Sequence, residues 1–345
     1  MTEPDPPFVL SVPPPLRDNP YQELLYEALM EEGVRILPPR RLDAPLLLGE
    51  RSPRRILHVH WLWLKEGRLL RPFRLLRNSS LLLLARMLGW RILWTMHNLE
   101  PHEESRLETL QYAILGRLAH GIVVHGEWAA AELRRRRRRP PRLRVIPHGI
   151  YAGAYPPPPP REEARRRLGL RPDATVFLCT GQIRPYKGTA NLIRSFRATT
   201  LRARLIIAGR PSSEALARRI REMAEGDERI VLDLRFLSRE DVSLLHAAAD
   251  WAVLPYRKIT TSGALHLAQT FLLPAVLPAH PALREAAGPG TAVYHEGPED
   301  LRRALEEAAG LDRTPYVAAI RRNREAHEWP LIARRLAAFM RELTA

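Results

Sequence analysis

At 345 residues the chain exceeds one ordinary core and suits two domains of about 150 residues each. Hydrophobic residues at 45% and charged residues at 27% are the proportions of a folded protein and exclude global disorder. The 54 Lys+Arg against 38 Asp+Glu leave a net charge of +16, almost all of it arginine; this admits nucleic acid, anionic lipid or phosphate-bearing substrates as partners without choosing among them.

The opening residues 1–7 are acidic and proline-rich, unlike a secretory signal, and no run approaches the roughly 18 apolar residues that span a bilayer. Cys179 is the only cysteine and lies in an apolar run, so a cytoplasmic location is expected, with peripheral attachment to the inner face of the plasma membrane left open. Strand patterns follow at 8–12, 55–60, 91–96, 121–125 and 144–146, with helical patterns at 21–32, 69–88, 105–119 and 127–138 between them. The segment 67–91 sets Leu69, Leu70, Phe73, Leu75 and Leu76 among Arg68, Arg71, Arg74 and Arg77, and Arg134 to Arg139 are six consecutive arginines. Both attract an anionic membrane surface, against the plainer readings of a helix packed on its sheet and a solvated charge run.

Five consecutive prolines, 156–160, make a stiff connector and mark a domain boundary. Alternation resumes with strands at 175–180, 204–208, 230–232, 251–254 and 275–277, and helices at 162–168, 189–197, 213–224, 238–248, 263–270, 282–286 and 298–309. The expected class is α/β: two Rossmann-like, doubly wound domains, 1–155 and 156–328, facing across a cleft, with an amphipathic helix at 329–345 packing across them.

Gly181-Gln182-Ile183-Arg184-Pro185-Tyr186-Lys187-Gly188 lies between a strand and a helix, where a glycine turn, two cations and a helix N-terminus make a candidate diphosphate site, against the plainer reading of a solvated basic loop. It does not match the Walker spacing. Further on, Thr261, Ser262 and Gly263 start another helix behind Pro255-Tyr256-Arg257, a second phosphate cradle in the same domain.

These phrases, in order, resemble the GT-B glycosyltransferases of the glycogen-synthase-like superfamily. Trp94 to His102, Pro147-His148-Gly149 and Pro255 to Leu265 resemble a subgroup of bacterial exopolysaccharide and glycolipid mannosyl- and glucosyltransferases. The resemblance implies transfer of a hexose from a nucleotide-diphosphate sugar, with a GDP- or UDP-sugar as co-substrate, to a lipid-linked or glycan acceptor. Gly181, Arg184, Lys187, Tyr256, Ser262, Gly263 and Ala264 would hold the donor. Cations supplied by side chains imply no metal and no further cofactor. The chain departs from the superfamily at Leu267, where a ribose-binding glutamate commonly stands, which leaves the nucleotide and the stereochemical outcome open.

In the first half His60 and His97 close strands and are the candidates for acceptor contact or general base, with Glu103 on the following loop beside them. His58 points the same way as His60. For His58 and His125 a core role weighs equally. Zinc on His58, His60, His97 and His102 lacks a helical His-Glu-x-x-His or a cysteine cluster, so no metal is expected. A nucleic-acid-binding protein or other anion binder would fit the charge, but no such motif is present. An epimerase of the same fold would need cleft carboxylates that are absent from the expected positions.

Overall fold

The computed structural model describes residues 6–15, 19–38, 40–62, 70–101, 106–137, 141–257 and 259–345. They form two compact units, Met1–Gly149 with His327–Ala345, and Ile150–Ala326.

The first unit holds a six-stranded, wholly parallel sheet. Its strands are β1 (Phe8–Val12), β2 (Arg35–Ile36), β3 (Arg55–Val59), β4 (Arg91–Thr95), β5 (Gly121–Val124) and β6 (Arg142–Val145), ordered β2-β1-β3-β4-β5-β6. The connecting helices are α1 (Tyr21–Glu31), α2 (Ala44–Gly49), α3 (Arg71–Met87), α4 (Arg106–Leu118) and α5 (Glu127–Arg136). The central strands are buried along almost their whole length, as helices on both faces of a parallel sheet require. The chain order reverses at β1 and β3, so the crevice of a doubly wound sheet opens at their carboxyl ends. Neither β2 nor α2 shows in the sequence pattern: β2 is a two-residue edge strand, and α2 is a short helix capped by Asp43, whose carboxylate accepts from Leu46 N–H at 2.9 Å.

The second unit repeats the architecture with β7 (Thr175–Thr180), β8 (Ala203–Ala208), β9 (Ile230–Asp233), β10 (Trp251–Val253), β11 (Ala275–Pro278) and β12 (Ala292–His295), ordered β12-β11-β10-β7-β8-β9 and parallel throughout. Around it lie α6 (Arg161–Arg167), α7 (Thr189–Arg197), α8 (Glu214–Ala224), α9 (Arg239–Ala248), α10 (Gly263–Thr270), α11 (Pro281–Ala287), α12 (Pro298–Gly310) and α13 (Thr314–Arg324). The order reverses at β7 and β10. Asp250, at the head of β10, is a structural knot: its carboxylate pairs with Arg161 and with buried Arg165 at 2.6 Å, and accepts from Val176 N–H at 2.8 Å.

The proline run lies within the second unit. Just ahead of it Tyr151 N–H donates to Thr270 Oγ1 at 2.8 Å, and Ser243 Oγ donates to the Pro156 carbonyl at 2.8 Å, so the chain joins this unit from Ile150. The C-terminal helix α14 (Trp329–Thr344) groups with the first unit, where it packs on α1, β3 and β4. Gly121 makes room for it: a Cβ there would sit 2.8 Å from Phe339 Cζ and 2.9 Å from Leu343 Cδ1.

Candidate donor and acceptor sites

In the second unit the loops leaving β7 and β10 knit together at the switch point. Gly181 leaves β7 at φ +101° and Gly188 turns into α7 at φ +76°, both backbone conformations that favour glycine. A Cβ on Gly188 would overlap the Pro255 carbonyl, and Arg257 N–H donates to the Tyr186 carbonyl at 3.0 Å. Half-buried Lys187 folds back over the turn, its Nζ 3.5 Å from where a Cβ of Gly181 would stand. Burial pulls its ammonium down to about 8, against the opposing influence of Cys179. Arg184 is also half-buried, and its guanidinium donates twice to Gln182 Oε1 at 3.2 Å.

Across the loop Ser262 caps α10, its Oγ accepting from Leu265 N–H at 3.1 Å, and Tyr256 OH meets the same Oγ at 2.7 Å. Burial raises the Tyr256 phenol, which stays neutral. Gly263 and Ala264 are the first two residues of α10, so their N–H groups have no acceptor within the helix. The Tyr151 hydroxyl closes on Gly263, 2.8 Å from the position of an added Cβ. Gly181, Lys187, Tyr256 and Ser262 are thus drawn into one loop cluster beside the α7 and α10 N-termini, with Arg184 on its rim. The positive ends of two helices plus two cations suit a diphosphate.

In the first unit a parallel sheet lines up the carboxyl ends of its strands, and four successive ends carry histidine: His60 after β3, His97 after β4, His125 after β5 and His148 after β6. His58, two residues before His60, shares its face, the rings 4.1 Å apart. His60 and His97 are 2% and 7% exposed. His60 Nδ1 lies 3.2 Å from His97 Nε2, and His97 Nδ1 lies 3.1 Å from His125 Nε2. Tyr26 OH on α1 bridges His58 Nδ1 at 3.0 Å and His60 Nε2 at 2.9 Å. Burial, reinforced by neighbouring histidines, holds His60, His97 and His148 well below the usual imidazole range; burial alone takes His58 to about 3, and it is the main cause that takes His125 to about 4. Both ring nitrogens of His60 and of His97 are engaged, so neither presents a lone pair to an incoming hydroxyl in this arrangement. Glu103 and His102 lie outside the described residues. Tyr26 and Thr95 were not singled out by the sequence. The signal that would have found Thr95 is its place two residues before His97 on the same strand face. Among the described residues no group of three or more His, Cys, Asp or Glu is arranged to hold a metal ion.

Residues 174–310 match the family described as glycosyl transferases group 1. Over 341 residues the chain is 27% identical to a GDP-mannose:glycolipid 4-beta-D-mannosyltransferase of Xanthomonas campestris pv. campestris, covering 92% of this chain and 87% of that one. Among solved structures it is similar to a sucrose-phosphate synthase from Thermosynechococcus elongatus, with a TM-score of 0.77 at 17% identity over 98% of this chain and 99% of that one. It is also similar to Anabaena Alr3699/HepE in complex with UDP and glucose, with a TM-score of 0.70 at 13% identity over 97% and 99% of the two chains.

Proposed function

We propose that the chain is a nucleotide-sugar-dependent glycosyltransferase that moves a mannose-type hexose from a GDP-linked donor to a glycolipid acceptor at an anionic membrane surface, a reading supported by the family match, the relative and the fold. The observation that carries the donor half is the cluster at the ends of β7 and β10, where Lys187, Arg184 and the N-termini of α7 and α10 converge. Gly181 lets the backbone approach the diphosphate, Lys187 and Arg184 take up its charge as the sugar departs, and Ser262, Gly263 and Ala264 offer hydroxyl and amides. Tyr256 holds the Ser262 hydroxyl in place. With these cations no divalent ion is required. The GDP and glycolipid terms follow the relative whose similarity runs through 92% of the chain.

The acceptor lies in the first unit at the ends of β3 and β4, beside His60 and His97. Glu103, outside the described residues, is the sequence candidate to take the hydroxyl proton. Membrane contact falls to α3, whose outward face carries Phe73 at 71%, Leu76 at 66% and Met87 at 74% exposure. Among the described residues no helix is long and apolar enough to cross a membrane, so this contact is peripheral.

A thermal-shift comparison of GDP, UDP and ADP, with and without EDTA, tests the donor half. GDP is expected to raise the melting temperature most, a ligand at about 100 times its Kd adding about 2.7 kcal/mol, and EDTA to leave that shift intact. A larger response to UDP overturns the GDP assignment, and a shift abolished by EDTA overturns metal independence.

A further inference from the structure

The histidine row of the first unit has one consistent set of protons. His125 Nδ1 faces the Ile146 carbonyl at 3.0 Å, and a carbonyl only accepts, so His125 carries its proton on Nδ1 and a lone pair on Nε2. His97 Nδ1–H must then donate to His125 Nε2, which leaves His97 Nε2 to accept from His60 Nδ1–H. His60 Nε2 accepts from Tyr26 O–H, the Tyr26 oxygen accepts from His58 Nδ1–H, and His58 Nε2 accepts from Thr95 Oγ1–H at 2.8 Å. One carbonyl therefore dictates the Nδ1–H tautomer of four histidines, all pointing the same way. Such aligned bonds polarise one another, and a proton added to His60 or His97 would set donor against donor in a buried site.

An indole lies beside this row, against the middle of it. Trp61 follows His60 directly, is half-buried, and lies flat on the His97 ring with centroids 4.4 Å apart and planes 14° apart. His97 cannot turn without breaking bonds to both His60 and His125, so the indole rests on a fixed support at the β1/β3 switch point.

We propose that Thr95, His58, Tyr26, His60, His97 and His125 form a single positioning device that holds Trp61 as a platform for the apolar face of a pyranose ring on the acceptor. In it Tyr26 and His125 act through His60 and His97, and none of the four histidines takes the acceptor proton. The inference rests on the reading that the first unit receives the acceptor. A C–H-rich sugar face against an indole needs no charge on the protein, in keeping with a neutral chain beneath it.

Long-range proton–nitrogen NMR on histidine-labelled protein reads the tautomers directly, and saturation-transfer difference with octyl mannoside and octyl glucoside below micellar concentrations reads the platform. At pH 7, His58, His60, His97 and His125 are expected as Nδ1–H. Transfer to the sugar ring protons should fall about tenfold in Trp61→Ala and persist in Trp61→Phe. Tyr26→Phe should free His58 from the row and bring an Nε2–H population onto it, leave His60 as Nδ1–H because His97 still accepts from it, and weaken sugar contact, with the GDP thermal shift unchanged. An Nε2–H or doubly protonated ring at His60 or His97 in the unaltered protein overturns the chain. Sugar saturation that is absent there, or indifferent to Trp61→Ala, overturns the platform. Because the tautomers need no donor, they hold or fail independently of the GDP response; should Tyr26→Phe not fold, the unaltered protein and the two Trp61 variants still decide.

Discussion

Lys187 has to be both half-buried and charged, and the turn around it explains how. Its ammonium is packed over Gly181, which costs it solvation and brings its proton affinity down to about 8, whereas a bound diphosphate would restore it. Nucleotide affinity should therefore be full below about pH 8 and fall as pH rises through it, because above that point binding must first recruit a proton. Lys187→Arg should remove this alkaline limb, and Lys187→Ala or Arg184→Ala should each lower kcat/KM by roughly 2 to 4 kcal/mol if their contacts tighten in the transition state. Turnover unchanged in both alanine variants, with the fold intact, would contradict the assignment. At this scale the turn between β7 and α7 was legible in advance, because glycine at a strand end and paired cations before a helix are local signals. Tyr26 was not. It lies far in sequence from the histidines it joins, and only the packing of α1 on the sheet brings it there.

Helix α3 is the element where pattern and packing part ways. Leucine and arginine alternate so densely along it that the sequence supports either a core helix or a surface one. The structure shows both: Leu75, Leu82 and Ala85 are buried, and Phe73, Leu76, Leu83 and Met87 form an exposed apolar stripe with Arg77 and Arg86 also at the surface. An apolar stripe with basic neighbours is the pattern of an interfacial helix, adding buried area to headgroup attraction. Replacing Phe73, Leu76 and Met87 together with serine should abolish sedimentation with anionic vesicles while leaving the melting temperature within about 1 kcal/mol of equivalent stability, since surface changes away from packed features cost little. The unaltered protein should release from the same vesicles as salt rises. If neutral vesicles recruit it as well as anionic ones, or the triple variant still sediments, α3 is not the docking face. The six-arginine run is only partly described, through Arg137, and within it Arg135 and Arg136 already pair with Glu132.

For the molecule as a whole, two doubly wound sheets were legible from alternation alone, but the edge strands β2 and β12 were not, because short edge elements carry too few residues to set a period, and the 11-residue helix α13 was not read either. Nor does sequence tell how the histidines are shared between the units. The first unit buries His58, His60, His97 and His148 and half-buries His125, and burial depresses the proton affinity of all five, as it does at His120, taken down to about 4, and at His327; in the second unit burial takes His246 down to about 4 and lowers His280 and His295. A histidine whose folded pKa is depressed contributes nothing to the pH dependence above about 6.5, where it is neutral whether folded or not. Below that the unfolded chain takes up protons that the folded one refuses, so stability falls with pH until the folded pKa is reached. At pH 5 one such group is worth about 2 kcal/mol, and a hydrogen-bonded row does not add independently. Each proton also adds to a net charge that is already +16. The melting temperature should therefore be nearly level from pH 8 to 7 and drop steeply between pH 6.5 and 5, with the first unit unfolding first: Trp90 and Trp94 fluorescence should change before GDP protection of the second unit is lost. Calorimetry across that range, with and without GDP, separates the two transitions. A melting temperature flat to pH 5, or a first transition that GDP abolishes, would show that the histidine row does not govern acid stability.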